Sequence, residues 1–309
     1  MSPTPTLAAS PAADTARPAG RRDRRLLRYS PALTGWAYAA PTAIFILIFF
    51  VVPILLVGRM SVSDWGLFAG NRGWNAPDNF TSAVDDRLFW PAVWFTIKYT
   101  VVTTVILLGL SLGLALVVQE SSRWNGLLRT SFLVPGALGL ASASLLFYAL
   151  YSPQSSPLGF LGIDSFLGTP SAALWSTVAL IVWRFAGFYM LLILVGLQGI
   201  SADVYEAARL DGADRRQTFR FVTLPLLRPS LALCTILCVT GSMLAFDQFY
   251  ILTKGGPDNS TVTIVQLVYN MAFGGQNDLG RAAALSILVL AALLVMNALQ
   301  FRGLRGRER

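Results

Sequence analysis

Residues 205–229 read YEAARLDGADRRQTFRFVTLPLLRP and lie between two apolar stretches, each long enough to cross a bilayer. A helix needs about 20 predominantly apolar residues to span the hydrocarbon core. The segment between the two stretches is charged and carries residues typical of helix ends, so it belongs in water. The pattern predicts two short helices that a partner protein can bind at the membrane surface.

Apolar stretches of this kind account for most of the chain. Of its 309 residues, 54% are hydrophobic and 13% are charged, and the mean hydropathy is +0.58. A water-soluble domain would not stay in solution with this composition. The sequence therefore predicts an all-α polytopic membrane protein with six transmembrane helices, at about residues 36–58, 93–118, 128–151, 173–196, 230–252 and 279–300.

The basic residues indicate which side of the membrane each connection faces. The net charge is +8, and 17 of the 24 lysines and arginines flank the spans on one side. Only four flank the spans on the other side, namely Arg59, Arg72, Arg87 and Lys254. Cytoplasmic loops are enriched in basic residues, so both termini and the 205–229 loop are predicted to be cytoplasmic. This placement also argues against nucleic acid as a partner.

Three regions follow from the composition. Residues 1–29 are basic and rich in Pro, Ala, Ser and Thr, which predicts a disordered cytoplasmic tail. Residues 30–302 form the membrane domain, with the cytoplasmic loop at 201–229, and residues 303–309 form a basic C-terminal tail. The first span is longer than the apolar region of a signal peptide, so we expect it to be retained.

The chain lacks the residues that chemistry of its own would need. It contains no histidine, and Cys234 and Cys238 are expected to pack in the fifth span as small apolar side chains. Its only lysines, Lys98 and Lys254, close no phosphate-binding loop. We therefore predict no catalytic residue, metal or cofactor in this chain, and any ATP must be bound by another subunit.

Helix-boundary signals define the two helices of the loop. Asp203 is followed three residues later by Glu206, and Asp214 by Gln217, which is the spacing of a capping box in each case. Gly212 stands between the two helices and can adopt the left-handed conformation that ends a helix. The spacing predicts two capped helices that meet at Gly212.

The second helix is expected to stop at Pro225, because proline disrupts a helix interior. One interpretation of the loop is an ordinary connection whose caps prevent fraying. The small Ala207–Ala208 pair and an aromatic Phe219 in a cytoplasmic loop favour a docking surface instead.

Two motifs resemble those of a known family. The loop is similar to the EAA loop of the membrane subunits of binding-protein-dependent ABC importers, through Glu206, Ala207, Ala208, Asp211, Gly212, Ala213, Phe219, Leu224 and Pro225. A second stretch looks like the F-D-…-L-T-x-G-G-P signature of their carbohydrate-uptake branch, through Phe246, Asp247, Leu252, Thr253, Gly255, Gly256 and Pro257. The resemblance covers about residues 30–302.

The resemblance implies a type I importer in a bacterial plasma membrane. Such an importer has a second related permease subunit, two ATPase subunits that bind ATP and Mg²⁺, and an extracytoplasmic solute-binding protein that delivers a sugar. The EAA helices would sit in clefts of the ATPases and transmit their closure to the pathway. Glu206 and Gly212 would carry that coupling in this chain.

Charges within the spans mark a candidate solute path, because a charge in the bilayer must face protein or water. Arg184 in the fourth span and Asp247 in the fifth either form an interhelical ion pair or line the path, and the sequence leaves both alternatives open. Aromatic and amide side chains nearby suit a sugar, or serve as packing and interfacial residues. They are Trp183, Phe188, Tyr189, Phe246, Gln248 and Tyr250.

Two other classes of protein compete with the importer. A self-sufficient secondary transporter would show internal repeats, and residues 30–150 and 180–302 show no clear repeat. A membrane-embedded enzyme would need an acid–base or metal constellation, which the sequence does not offer. Dependence of uptake on a separate ATPase would distinguish the importer from both.

Overall fold

A computed structural model of the protein describes residues 31–120, 122–152 and 165–305. The predicted N-terminal tail at 1–29 lies outside the described residues. The chain divides into two compact units, residues 1–53 and 54–309. Four helices are long and apolar enough to cross a membrane, and there are six candidate spans if two bent helix pairs each count as one.

The first helical segment runs from α1 (Pro31–Ile46) through a π-helical turn (Leu47–Val51) into α2 (Val52–Ser61). The π turn ends two residues before Pro53. Proline offers no N–H and clashes with the preceding turn, and a wider turn relieves that clash without ending the helix. The candidate span is Tyr38–Ser61, close to the predicted 36–58.

Three further spans are single helices, as predicted. They are α4 (Phe89–Val118), α7 (Pro170–Gln198) and α14 (Leu279–Arg305). The helix α7 begins where Thr169 accepts a hydrogen bond from the amide of Ala172, at 3.1 Å, and Pro170 occupies the first turn. Because α14 runs to Arg305, part of the predicted C-terminal tail is helical.

The third predicted span is broken, so the expectation of one helix at 128–151 is wrong. The structure has α5 (Arg123–Leu133), a 3₁₀ turn (Val134–Ala137) and α6 (Leu140–Tyr151), and the two α-helical parts are bent by 94°. Pro135 lies inside the 3₁₀ turn, where its ring prevents the regular helix from continuing.

The fifth predicted span, at 230–252, is also interrupted. The long helix α11 (Arg228–Met243) follows the helices of the 201–229 loop. These are α8 (Ala202–Leu210), α9 (Arg215–Gln217), a π-helical turn (Thr218–Thr223) and α10 (Leu224–Leu226). Residues 244–246 then leave the helix, and α12 (Asp247–Leu252) completes the stretch. The segment Arg215–Leu226 meets α11 at 64°.

The connection between α2 and α4 contains a small mixed structure that an all-α prediction did not include. Strands β1 (Ser63–Gly66) and β2 (Gly70–Trp74) form an antiparallel hairpin, followed by α3 (Asp78–Val84). The amide of Asn79 donates to the carbonyls of Ser61 and Ser63, at 3.0 and 2.8 Å. The helix α13 (Ile264–Phe273) lies between α12 and α14 in the chain.

The main apolar core lies among α4, α7, α11 and α12. Tyr99 and Phe249 pack edge to face there, with ring centroids 4.9 Å apart. The helices α5 and α7 approach so closely that a Cβ on Gly187 would lie 2.0 Å from the carbonyl oxygen of Phe132. Only glycine permits that contact. This core fixes the helices that line the candidate site.

Candidate functional site

The loop of residues 201–229 begins with a cap that differs from the predicted one. Ser201 is the N-cap of α8, and its side chain accepts a hydrogen bond from the amide of Asp203 at 3.3 Å. The predicted capping box of Asp203 and Glu206 is therefore wrong, because the helix starts two residues earlier. Glu206 is left exposed on α8, with its carboxylate free of the cap.

The end of α8 is a Schellman motif. The amide of Gly212 donates to the carbonyl of Arg209, and the amide of Ala213 donates to that of Ala208, both at 3.0 Å. Gly212 has φ +79°, the left-handed conformation that glycine adopts without strain. Asp211 is the C-cap residue. The Asp-Gly-Ala part of the motif thus encodes the turn between the two helices.

The second helix opens with the predicted capping box. The amide of Gln217 donates to Asp214 Oδ1 at 2.7 Å, and the amide of Asp214 donates to Gln217 Oε1 at 2.8 Å. The helix does not stop at Pro225, contrary to the prediction. A π-helical turn ends two residues before Pro225, and the helix continues through Leu224 to Leu226. The bend comes at the next proline, Pro229, in the first turn of α11.

A cavity of about 790 Å³ lies between the two helices and the C-terminal ends of α4 and α7. Glu206, Ala213 and Phe219 line it, together with Arg209 and Arg215. The structure thus brings three of the predicted loop residues to one space. The two other alanines of the motif do not line this cavity. Ala207 is exposed and Ala208 is buried.

The outward apolar surface of the loop is made by residues that the motif did not single out. Phe219 was expected to be an exposed aromatic, but it is half-buried in the cavity wall. Leu210 on α8 and Phe221 on the π turn are instead 89% and 70% exposed. Sequence reasoning passed over Phe221, although a second phenylalanine in the loop was a visible signal.

Arg129 binds the backbone at the end of α4, where Gln119 and Glu120 line this cavity. Its Nε donates to the carbonyl of Val118 at 3.1 Å, and its Nη2 reaches the carbonyls of Gln119 and Glu120 at 3.4 and 3.3 Å. These are the carbonyls at the end of α4 that no helical amide satisfies, and a cation there also complements the helix dipole. The sequence had shown Arg129 only as a cytoplasmic charge.

A second cavity, of about 330 Å³, lies where the fifth span is interrupted. It brings together most of the predicted solute-path residues, which are Phe188, Tyr189, Phe246, Asp247 and Gln248. The helix α11 contributes Leu237, Cys238, Gly241 and Ser242 to its wall. Cys238 was expected only to pack, and it also faces this space.

Arg184 stands apart from this cavity. Its guanidinium carbon lies 4.4 Å from the ring centroid of Phe185, and its Nε is buried with no hydrogen-bond partner among the described residues. The ion pairs of the described part of the chain are Arg72–Asp64 and Arg281–Asp86. Arg184 and Asp247 therefore form no ion pair in this structure, and only Asp247 lines the cavity. Trp183 packs on Phe147 instead.

Gln248 is the buried polar group of the cavity wall. It is 2% exposed, and its Nε2 donates to the hydroxyl of Tyr99 at 3.2 Å. Its Oε1 is also buried but accepts no hydrogen bond from the described residues. Buried polar atoms are nearly always paired, so the unpaired Oε1 is an exception beside the cavity.

Thr263 stabilises the break at residues 244–246 of the fifth predicted span. Its hydroxyl donates to the carbonyl of Ala245 at 2.7 Å and accepts from the amide of Gln266 at 3.2 Å. One side chain thus satisfies a carbonyl freed by the break and caps α13. The amide of Ile264 donates to Thr96 on α4, at 3.0 Å. The break that presents Phe246 and its neighbours to the cavity is fixed from a distant part of the chain.

Residues 19–302 match the family of binding-protein-dependent transport system inner membrane components. The chain belongs to this family. It is 31% identical over 274 residues to the trehalose/maltose transport system permease protein MalF of Thermococcus litoralis. The aligned region covers 87% of this chain and 92% of that protein. It is 31% identical over 290 residues to the lactose transport system permease protein LacF of Rhizobium radiobacter, with 89% and 95% covered.

The fold matches that of ABC importer permeases in solved structures. A crystal structure of a bacterial ABC transporter involved in the import of the acidic polysaccharide alginate contains a chain that superposes with a TM-score of 0.77, covering 88% of this chain and 95% of that one. At 22% identity this likeness shows the fold alone. The type I importer fold inferred from the sequence is confirmed, and the chain is a multi-pass membrane permease.

Proposed function

We propose that this chain forms half of the pathway of an ATP-driven importer for a sugar or sugar-like solute. It would pair with a second related permease and receive solute from an extracytoplasmic solute-binding protein. Relatives named for trehalose, maltose and lactose transport support a carbohydrate as the substrate. The loop of residues 201–229 couples the pathway to two ATPase subunits, which bind ATP and Mg²⁺.

The observation that carries this proposal is the helix α11, which joins the two candidate sites. It starts beside the cytoplasmic loop and ends at the interruption that opens the 330 Å³ cavity. Its 16 residues span roughly 24 Å at 1.5 Å per residue. A helix of this length moves as a rod, so a displacement of the loop changes the wall of the cavity.

The cavity offers the groups that a sugar requires. Its volume lies at the lower end of the range of about 300–1,000 Å³ typical of small-molecule sites. The Asp247 carboxylate offers acceptors for sugar hydroxyls, and the rings of Tyr189 and Phe246 in the cavity wall suit the C–H faces of a pyranose. A related partner permease would close the remaining side.

The loop offers what docking to an ATPase requires. Leu210 and Phe221 are exposed apolar side chains whose burial by a partner would contribute most to the binding free energy. Arg216 and Arg220 of the same loop are also exposed. Caps at Ser201, at Gly212 and at Asp214 keep two short helices formed without a core of their own. On this topology the loop and both termini face the cytoplasm.

The test is uptake by the reconstituted importer. Proteoliposomes would contain this chain, its partner permease and the ATPases, with binding protein outside and radiolabelled maltose, trehalose or lactose as solute. We expect uptake of at least one sugar only with ATP inside and with an intact ATPase. Uptake that persists with an ATPase lacking its catalytic carboxylate would indicate a self-sufficient transporter, and no uptake of any sugar would refute the substrate class.

A further inference from the structure

Four aromatic rings form a continuous series on α12 and α13. Phe246 stacks on Tyr250 with ring centroids 5.1 Å apart and an interplanar angle of 20°. Tyr269 lies 5.2 Å from Phe246 and 5.1 Å from Tyr250, and Phe273 lies 5.3 Å from Tyr269. We call Phe246, Tyr250, Tyr269 and Phe273 the aromatic track.

The track runs from the cavity to the protein surface. Phe246 lines the 330 Å³ cavity, whereas Phe273 is 55% exposed and Tyr250 is 39% exposed. Phe273 ends α13 shortly before the outer end of α14, which starts at Leu279. The other end of the track therefore lies toward the outside, where the positive-inside rule places the connection between these helices.

The track is not part of the apolar core. Other residues of each helix pack inward, with Phe249 and Leu252 on α12 and Met271 on α13 in the core clusters. The spacing of four residues between Tyr269 and Phe273 places these rings on one helix face. Each of the two helices thus contributes some side chains to the core and others to the aromatic track.

The hydroxyls of the track argue against lipid as its neighbour. Tyr250 and Tyr269 bring their phenol oxygens to 3.4 Å from each other. One hydroxyl can donate to the other, but the second O–H would have no acceptor on a face turned to hydrocarbon, which is unfavourable. Rings that present both a flat apolar face and a hydroxyl suit a carbohydrate, which has C–H faces and peripheral hydroxyls.

We propose that the aromatic track is a carbohydrate-binding path that leads the solute from the outer surface into the cavity. This inference rests on the proposed function and adds Tyr269 and Phe273 to the residues that contact the sugar. Successive rings about 5 Å apart form one continuous apolar surface, so the sugar can pass from one ring to the next without becoming fully free. A series of weak sites favours entry and still permits exit, as in other conduction pathways.

The first test measures whether the track faces water in the assembled importer. Tyr269→Cys would be treated with a membrane-impermeant methanethiosulfonate reagent in proteoliposomes, with Met271→Cys on the buried face of the same helix as the matched control. The wild-type cysteines are buried, so their labelling sets the background. We expect labelling of Tyr269→Cys and not of Met271→Cys. An unreactive Tyr269→Cys would mean that lipid or the partner permease covers the track, and the inference would fall.

The second test measures transport of the sugar that the wild-type importer takes up. Tyr269→Leu removes the ring and should lower uptake at subsaturating sugar-loaded binding protein by about 3- to 10-fold, while Tyr269→Trp keeps a ring and should retain most of it. The control is Trp90→Leu, another exposed aromatic, at 66% exposure, outside the track. If the Tyr269→Leu and Trp90→Leu importers show equal uptake, the role of the aromatic track is refuted and the proposed function is not. Absence of uptake by the wild-type importer would refute the proposed function as well.

Discussion

The Schellman motif at Gly212 allows a graded test of the coupling loop. The helix α8 has nine residues, which is too short to be stable alone, so its caps determine how fully it forms. An L-residue in the left-handed conformation costs about 1–2 kcal/mol, and 1.4 kcal/mol is a factor of ten in an equilibrium. No other atom lies within 4 Å of a Cβ built on Gly212, so backbone strain is the whole effect of Gly212→Ala.

We expect uptake to decline in the order glycine, asparagine, alanine, proline at position 212. Asparagine tolerates the left-handed conformation better than alanine. Proline fixes φ near −65° and removes the amide that bonds to Arg209, so Gly212→Pro should cost about 3 kcal/mol or more and abolish uptake. The assay is ATP-driven uptake in proteoliposomes, with membrane insertion and ATPase co-purification measured in parallel.

The matched control is Gly70→Ala on the outer hairpin. Gly70 has φ +69°, and a Cβ at this position would meet no atom within 4 Å, so the substitution imposes the same strain away from the loop. Gly70→Ala should leave uptake near the wild-type level. A well-inserted Gly212→Pro subunit that transports normally would remove the loop from the mechanism.

Three further changes probe other parts of the structure. Thr263→Val removes a hydroxyl that bonds to Ala245 and caps α13, so we expect a loss of about 1–2 kcal/mol in thermal unfolding and reduced uptake, with Thr263→Ser close to wild type. Equal behaviour of the two variants would show that the hydroxyl is not needed. Arg281→Gln breaks a half-buried pair with Asp86 and should cost about 1–3 kcal/mol, whereas Arg72→Gln breaks an exposed pair and should cost about 0–1 kcal/mol. The Arg281→Gln and Arg72→Gln variants would be compared by the melting temperatures of the purified subunits. In intact cells an impermeant thiol reagent should label Ala69→Cys on the outer hairpin and not Ala202→Cys on the loop, and the opposite result would invert the topology.

The spans and the loop caps were predictable because their signals are local. Twenty apolar residues suffice to mark α4, α7 and α14 wherever the rest of the chain lies. The glycine at 212 and the Asp214–Gln217 box specify backbone geometry within four residues. Ser201 was missed because two acceptable N-caps stand two residues apart, and only the position where the chain leaves α7 decides between them.

The breaks were not predictable, because proline has two outcomes in an apolar helix. Pro53 and Pro225 are accommodated by π-helical turns that end two residues earlier, and the helix continues. Pro135 lies in a 3₁₀ turn that bends its span. The outcome depends on whether other elements satisfy the freed backbone groups. At the fifth span that element is Thr263, 18 residues from the carbonyl it binds.

In the proposed coupling, the two interruptions let α11 serve both sites. At its N-terminal end the chain turns by 64° before Pro229, and at its other end residues 244–246 leave the helix. A helix bounded by two such breaks is a separate rod, and a change of angle at either break leaves its internal hydrogen bonds intact. Had the fifth span been continuous through residue 252, a tilt imposed by the loop would have moved Phe246 and Gln248 together with α11. Because Thr263 and Tyr99 hold that side, movement of α11 changes the distance across the cavity instead.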